Sequence, residues 1–419
     1  MPDISLSTRK SAVLALVFLT LSAAAMAQAK FAVLHAFGSG SDGRGPWGQL
    51  LADKAGNFYG TTIGGGPNNV GTVFEVSPSG SSWTESVLYS FVGNNLNLQG
   101  PQSNLVMDTA GNLYGTTFWG GINNGGTIFE LSPVSGGGWA ETVLFKFQGK
   151  SGISPGGLLL GRNGALYGTT LWGNTAYELN PPAVAGGSWT GKVLFTFDAG
   201  SNGNGPFYEG AALISDKHGN LYGVTYLGGA YGEGEVFELS PPATQAGAWT
   251  ETILFSFGGY TTDGRVPTGA VVMDAAGNIY GTTVDGGSSN AGTVFEISPP
   301  ASQGQPWTET LLHTFTGGTS DGSAPYAGLV MDRVGNLYGV TYSGGTGLCQ
   351  FNFPGCGTVF KVSPTGGSTW TTTVLHNFQG SSDGEFPYGG LMINGVGHLF
   401  GTTSGGGKYG YGTVFEIQP

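Results

Sequence analysis

The chain has 419 residues, of which 12% are aromatic, only 10% are charged and 80 are glycine. Its formal net charge of −12 excludes nucleic acid as a main partner, because phosphate binding needs clustered Lys and Arg. The aromatic content and the strict register of the repeats argue against disorder despite the many glycines.

The first segment, residues 1–27, has the pattern of a secretory signal. Arg9 and Lys10 precede an apolar core over residues 12–25, and Ala25-Met26-Ala27 has the small-x-small form of a cleavage site. The apolar stretch is too short and wrongly flanked for a stable membrane span. We therefore expect a secreted, periplasmic or extracellular mature protein with no transmembrane segment.

Seven copies of one unit fill the rest of the chain. Each contains the phrase Gly-Asn-Leu-Tyr-Gly-Thr-Thr or a close variant, and a phrase like Gly-Thr-Val-Phe-Glu follows. The first phrase begins at Gly56, Gly111, Gly164, Gly219, Gly277, Gly335 and Gly397. In six units a Trp then precedes a sequence similar to Thr-Glu-Thr-Val-Leu-Tyr-Ser-Phe. These Trp residues are Trp83, Trp139, Trp189, Trp249, Trp307 and Trp370.

Each unit has four short runs rich in β-branched and aromatic residues, separated by turn-forming residues, as expected of four strands. In the fifth unit the runs are 270–274, 278–283, 293–298 and 308–315. No stretch of the mature chain has a sustained helical period. The repeat predicts an all-β fold, a seven-bladed β-propeller with four-stranded blades, forming a single domain over residues 28–419.

The seventh unit ends at residues 415–419 without the last phrase, whose counterpart is residues 31–37, before the first unit. We expect this N-terminal strand to complete the last blade, a 1+3 closure that leaves no open end to the ring. A tandem of β-sandwiches is the alternative, but it explains neither the seven equal units nor the permuted ends.

The combined phrases, with Gly-Gly after the first and Ser-Pro after the second, resemble those of the bacterial GloVer-repeat proteins over essentially the whole mature region. The resemblance implies an exported protein whose family has no defined activity, so it supplies no catalytic residue. Some relatives carry C-terminal anchoring tails, whereas this sequence ends at Pro419, and we expect no such anchor.

Features that recur from unit to unit predict scaffold. The Asp of Asp-x-x-Gly-Asn should accept backbone hydrogen bonds in a tight turn, and the strand Glu after Phe should also be structural. A Gly inside each second strand predicts a ring from a neighbouring blade packed against the backbone. His35, His313 and His376 occupy a slot that is Tyr or Phe elsewhere, which favours packed, hydrogen-bonded rings over catalysis.

Deviations between units predict a site. An Asp-Gly pair followed by Pro precedes units one, five, six and seven, and the Pro is followed by an aromatic residue in three of them. The aspartates are Asp42, Asp263, Asp321 and Asp383, and the aromatics are Trp47, Tyr326 and Tyr388. In a propeller these connections share a face with the loops between second and third strands. Units six, seven and one are neighbours in a closed ring.

Two interpretations of this face stay open. Flat rings beside Asp42, Asp321 and Asp383 would suit stacking against sugars and hydrogen bonding to hydroxyls. The simpler interpretation is that the rings plug the channel and the Asp-Gly pairs form turns. Trp119 and Trp172, on the corresponding loops of units two and three, are further ligand-binding candidates.

Cys349 and Cys356, the two cysteines of the chain, both lie in one insertion of unit six. In an exported protein such a pair in one short loop predicts a disulfide. Two thiolates without a nearby His would be a poor zinc site, and we expect no metal site.

The leading functional hypothesis is an exported, non-catalytic binding propeller that recognises a glycan or a cell-surface protein and acts as a monomer. The alternative is a carbohydrate-active enzyme, a glycosidase or lyase, using two carboxylates from Asp42, Asp321, Asp383 or Glu209. We expect no cofactor. Calcium held by the Asp-Gly loops is a minor alternative, because these loops lack the Asp-x-Asp-x-Asp spacing of a strong calcium site.

Overall fold

A computed structural model describes residues 29–38, 41–93, 100–149, 153–184, 186–197, 212–244, 247–258, 263–302, 304–349 and 355–419. The proposed signal, residues 1–27, and Glu209 lie outside these ranges. Within these ranges, no helix has the length and apolar character needed to cross a membrane.

The described strands form seven antiparallel blades around one axis, and two short strands of blade six pair in a small sheet of their own. The first strand is β1 (Lys30–Ala36). Blade one contains β2 (Gly43–Pro46), β3 (Leu51–Ala52), β4 (Phe58–Gly65), β5 (Thr72–Ser79) and β6 (Ser82–Ser90). Blade two contains β7 (Val106–Met107), β8 (Leu113–Thr117), a 3-10 turn (Ile122–Asn124), β9 (Thr127–Pro133) and β10 (Trp139–Lys146). Blade three contains β11 (Ile153–Pro155), β12 (Leu159–Leu160), β13 (Leu166–Trp172), β14 (Thr175–Asn180) and β15 (Thr190–Thr196).

The remaining blades repeat this order. Blade four contains β16 (Ile214–Ser215), β17 (Leu221–Thr225), β18 (Glu235–Ser240) and β19 (Thr250–Ser256). Blade five contains β20 (Gly264–Pro267), β21 (Val272–Met273), β22 (Ile279–Gly286), β23 (Thr293–Ser298) and β24 (Thr308–Thr314). Blade six contains β25 (Gly322–Ser323), β26 (Val330–Met331), β27 (Leu337–Thr341), β28 (Ser343–Gly344), β29 (Thr358–Gly366) and β30 (Thr369–Asn377). Blade seven contains β31 (Met392–Ile393), β32 (Leu399–Thr403) and β33 (Thr413–Gln418).

The predicted closure is confirmed, because β1 is the outermost strand of blade seven. Its sheet has the order β1-β33-β32-β31. The antiparallel register places Phe31 opposite Ile417 and Val33 opposite Phe415. The chain therefore begins and ends its ring in the same sheet, and neither end leaves a blade incomplete.

The outermost strand of each blade carries one extra residue. In blade one, Tyr89 pairs with Val73 and Val87 pairs with Phe74, so Leu88 is the bulged residue. Leu34 is bulged in the same way in β1. A bulge of this kind twists the strand and redirects the side chains that follow it. The repeat predicted the strands, but the bulges were not expected.

The core lies between the blades rather than within one central cluster. In the described residues, each of seven apolar clusters combines side chains from two adjacent blades. Across each interface, which we call a seam, a Phe that follows the outermost strand meets a ring of the next blade. The pairs are Phe37–Phe74, Phe91–Phe129, Phe147–Tyr177, Phe197–Phe237, Phe257–Phe295, Phe315–Phe360 and Phe378–Phe415, with centroids 4.8–5.3 Å apart.

The recurring Gly of the second strand makes room for this ring. A Cβ added to Gly60 would lie 2.5 Å from Cζ of Phe74, the residue opposite it in β5. The expectation that the ring comes from a neighbouring blade is therefore wrong. It comes from the next strand of the same blade, because cross-strand partners lie side by side on one face of the sheet. The ring then reaches across the seam to Phe37 of blade seven.

The recurring Asp and Glu are structural, as predicted. Asp53 accepts hydrogen bonds from the backbone N–H groups of Ala55 and Asn57 and from the hydroxyl of Tyr59. Tyr59 also donates to Glu75, 3.2 Å away. Asp108, Asp216, Asp274 and Asp332 hold their turns with the same set of bonds from the backbone and the Asn side chain.

Blade three departs from the common ring pair at Tyr177. Its hydroxyl is buried, has no hydrogen-bond partner among the described residues, and lies where a Cβ of Gly168 would be. An unpaired buried hydroxyl costs about 1–3 kcal/mol.

We therefore expect Tyr177→Phe to raise the free energy of unfolding by about 1–3 kcal/mol, because it removes that hydroxyl and restores the ring used by the other six blades. Urea titration of the purified protein measures the change. Phe237→Tyr, which adds a hydroxyl at the same position in blade four, should have the opposite sign. A less stable Tyr177→Phe variant would show that the hydroxyl has a stabilising partner.

Candidate functional site

The connections between blades lie on the same face as the loops between second and third strands. In blade one, β2 pairs with the end of β4, and Pro46 lies opposite Thr62. In blade five, Pro267 lies opposite Thr283 in the same way. We call this the upper face. In four of the connections the residue after the Pro lines one small cavity at the mouth of the central channel, namely Trp47, Thr268, Tyr326 and Tyr388.

A strained backbone fixes the position of that residue. Phe386, before Pro387, has a φ of 57° and donates its N–H to the carbonyl of Cys356 at 2.9 Å. The Pro387 ring packs on the previous blade so closely that a Cβ at Gly357 would lie 2.6 Å from its Cδ. Even the β-branched Val266 adopts a φ of 60° at this position. Such conformations cost of order 1–3 kcal/mol and persist only where the surroundings impose them.

The three predicted rings meet at one end of the channel. The ring centroids of Trp47 and Tyr388 are 4.0 Å apart, and those of Tyr326 and Tyr388 are 5.3 Å apart. Two further rings extend the group: Tyr342 lies edge-on to Tyr326 at 5.5 Å, and Phe386 stacks on Tyr342 at 4.9 Å. These five residues are the aromatic cluster. The sequence analysis missed Tyr342 and Phe386 because each stands at a position where the units vary freely.

The space beneath the cluster is small. A cavity of about 50 Å³ is lined by the three predicted rings together with Gln49 and Thr268. Such a volume holds a few water molecules but not a sugar. Trp47 and Tyr326 are partly exposed, whereas Tyr388 is 9% exposed. A ligand would therefore contact the outer faces of the rings rather than enter the channel.

The predicted aspartates do not line this cavity in the described structure. Asp383 accepts a hydrogen bond from Nε2 of His376, in β30, at 2.8 Å, and another from the N–H of Gln379 at 2.7 Å. Asp321 contacts Nε2 of His313 in β24 at 3.1 Å. The structure separates these carboxylates from the rings, because each is held by an imidazole on the outermost strand of the preceding blade.

Asp42 follows the same pattern at the closing seam. It accepts hydrogen bonds from the N–H groups of Gly38 and Gly43 at 2.6 and 2.7 Å, and lies 3.4 Å from Nε2 of His35. Burial alone would raise the pKa of Asp42, but the bonds from His35 and the two backbone N–H groups hold it below its usual value. The same balance, with His313, lowers the pKa of Asp321. These groups are ionised structural partners, not raised-pKa general acids.

The other two candidate rings also lie on the upper face. Trp119 and Trp172 occupy equivalent places just past the paired Thr residues of their second strands. They are 44% and 53% exposed. Trp119 packs edge-on against Phe118. Both indoles therefore present open faces over blades two and three, apart from the aromatic cluster over blades six, seven and one.

The structure joins Cys349 and Cys356 in a disulfide, with Cα atoms 5.3 Å apart. Cys356 is fully buried, and its carbonyl accepts the N–H of Phe386. The bridge therefore anchors the insertion of blade six next to the aromatic cluster. Glu385 lies near both sulfurs, but disulfide sulfurs are not thiolate ligands and this group is no metal site.

The sequence profile of the Gloeobacter/Verrucomicrobia repeat matches residues 20–178, 136–349 and 210–419. The chain belongs to the Gloeobacter/Verrucomicrobia repeat family. The resemblance stated from the motifs is thus confirmed. No curated protein sequence matches the chain.

Solved structures similar to this repeat protein share its fold. A streptogramin B lyase is 14% identical with a TM-score of 0.54, over 93% of this chain and 98% of that one. An inactive virginiamycin B lyase from Staphylococcus aureus, with quinupristin, is 11% identical with a TM-score of 0.56, over 94% and 100%. YCF48 from Cyanidioschyzon merolae is 15% identical with a TM-score of 0.50, over 94% and 99%. At these identities the likeness establishes the fold alone.

Lys361 stands in blade six of this repeat protein where the other blades have the recurring strand Glu, and its local contacts differ accordingly. It replaces the strand Glu, and its Nζ lies 5.6 Å from the ring centroid of Tyr338. In other seams a Trp of the next blade packs near this Tyr, as Trp370 does on Tyr280. Blade seven has Ala29 at the Trp position, and a groove of about 1110 Å³ opens there. Lys361 thus makes a cation–π contact with Tyr338.

Buried acids occupy the seam between blades four and five. Glu309 of β24 faces Asp263, the remaining Asp of the predicted Asp-Gly-Pro connections. Burial, followed by the charge of Asp263, raises the pKa of Glu309 to about 9. In this seam Phe255 occupies the position that is His in three other seams. Two carboxyl groups therefore meet where those seams have an Asp–His ion pair.

This pair predicts a pH-dependent stability. The folded-state pKa of Glu309 lies above its ordinary value of 4.5, so its contribution is fully present below pH 4.5 and is lost as the pH rises through about 9. Glu309→Gln keeps a neutral side chain at every pH. We expect the unfolding free energy of the variant to exceed that of the parent protein by about 1–3 kcal/mol at pH 9, and by less at pH 5. Equal differences in unfolding free energy at the two pH values would contradict the buried-acid assignment.

Proposed function

We propose that this repeat protein is an exported, non-catalytic binding propeller that recognises glycans on its upper face. The aromatic cluster supports the proposal most directly. Trp47 and Tyr326 are part-exposed rings beside the channel, held in place by Tyr388 and by the prolines of three connections. Rigid aromatic faces bind the apolar faces of sugar rings at little entropic cost.

Export is inferred from the signal-like segment and from the cysteine pair, whose disulfide is typical of oxidising compartments. The partner is a glycan outside the cell, and the protein binds it as a monomer. The small cavity favours a ligand that lies across the mouth, such as an extended chain, over a compact molecule enclosed in the channel.

Hydrolysis receives less support from the geometry. A glycosidase needs two carboxyl groups about 5–9.5 Å apart that face the substrate. Asp42, Asp321 and Asp383 each face an imidazole in a different seam. The lyases with similar folds are at most 14% identical to this chain, and their activity does not transfer to it.

A glycan array identifies the ligand, and isothermal titration calorimetry of the best glycan then tests the site. Trp47→Ala and Tyr326→Ala should each weaken binding by about 1–3 kcal/mol, because each removes a part-exposed aromatic ring of the proposed site. Val334→Ala is the matched control, since it truncates a side chain that is 76% exposed on the turns of the opposite face.

The proposal fails if the array shows no binding or if both ring variants bind like the control. Turnover of a polysaccharide by the parent protein would instead support the enzyme alternative.

A further inference from the structure

The seam that closes the ring contains three potential metal ligands from three separate segments. His35 lies in β1, Asp42 in the connection to blade one and Glu85 in β6. One ligand atom of each lies within 4.8 Å of the other two. An imidazole nitrogen with two carboxylate oxygens is a donor set that zinc and related divalent ions accept.

One of these donor atoms lacks a partner. Oε1 of Glu85 is a buried atom with no hydrogen-bond partner among the described residues, whereas Nε2 of His35 lies 3.4 Å from Asp42. Glu141, Glu251 and Glu309 at the equivalent positions of other blades also have an unpaired Oε1. Only at Glu85, among the described residues, do an imidazole and a second carboxylate come within 4.8 Å of that oxygen. A divalent cation would take the oxygen of Glu85 as a ligand together with His35 and Asp42.

Two other seams act as internal comparisons. His313–Asp321 and His376–Asp383 have the same geometry with shorter contacts, 3.1 and 2.8 Å, against 3.4 Å for His35–Asp42. The strand register places Thr372 and Phe31 where Glu85 stands. In those seams the imidazole satisfies the Asp directly, and no third carboxylate of the described residues completes a comparable trio. In the closing seam the His–Asp contact is longer and a third carboxylate is present.

The geometry points to a divalent transition-metal site of the zinc type formed by His35, Asp42 and Glu85, which fastens the N-terminal strand to blade one. Three protein ligands leave one tetrahedral position for water, and the side chains of His35 and Asp42 remain 21% and 20% exposed, so solvent reaches the site. The ion would join the N-terminal strand and the connection after it to the outermost strand of blade one, at the point where the ring closes.

The test begins with the mature protein stripped of metal by a chelator. Calorimetric titration with Zn²⁺ should show one site per chain. Zn²⁺ should raise the melting temperature, because it binds the folded state only. Co²⁺ should give a visible absorption band typical of a low-coordinate site with a nitrogen ligand.

Two variants and two controls locate the site. Glu85→Thr copies blade six, and His35→Phe copies the ring found at Phe145, so both should fold. Each should weaken Zn²⁺ binding at least about tenfold, the loss that follows removal of even an outer partner of a metal ligand. Glu141→Thr changes the equivalent position of blade two, and His376→Phe removes another seam imidazole. Both controls should bind Zn²⁺ like the parent.

The proposal is overturned if the parent shows no Zn²⁺ binding, or if Glu85→Thr and His35→Phe bind as tightly as the controls.

Discussion

The structure depends on one contact repeated at every seam, in which a Phe beyond the outermost strand of one blade meets a ring of the next. The second ring fits only because the facing strand has a Gly, as Gly60 does below Phe74. Each ring pair contributes about 0.5–1.5 kcal/mol of stability beyond the contribution of the surface area that it buries. Because the pairs link adjacent blades in a circle, the stability of one blade depends on both neighbours, and closure by β1 supplies the seventh pair through Phe37.

The same seams determine what the upper face displays. The connection between blades must cross from an outermost strand to the next inner strand, and a Pro packed on a Gly of the previous blade fixes its path. In the connections to blades one, six and seven, the residue after the Pro is thereby held at the channel mouth, and the Asp before the Pro is held beside an imidazole. The same short connection thus supplies an aromatic ring for the proposed binding site and an Asp for an ion pair between blades. The ring lies at the channel mouth, and the ion pair lies in the seam.

Much of the fold was predictable because the same pattern of strand-forming and turn-forming residues recurs in seven units. The third strand of blade five was predicted at 293–298 and observed at Thr293–Ser298, and the permuted ends predicted closure. The grouping of Trp47, Tyr326 and Tyr388 followed from their common place after a Pro. The seam partners were not predictable, because Glu85 and His35 are brought together by the twist and bulge of two strands from different blades. The Asp–His pairs were not predicted, although their members lie only seven or eight residues apart, on an outermost strand and the connection that follows it.

The central claim is that the ring, including its closing strand, is held together as one cooperative unit. Native-state hydrogen exchange, followed by mass spectrometry of peptides from β1, β33 and β18, tests it most directly. We expect the slowest amides of all three strands to exchange with the same free energy, because β1 opens only when the whole ring does. If the slowest amides of β1 exchanged through an opening of lower free energy than the opening that exposes β18, the ring would not be one cooperative unit.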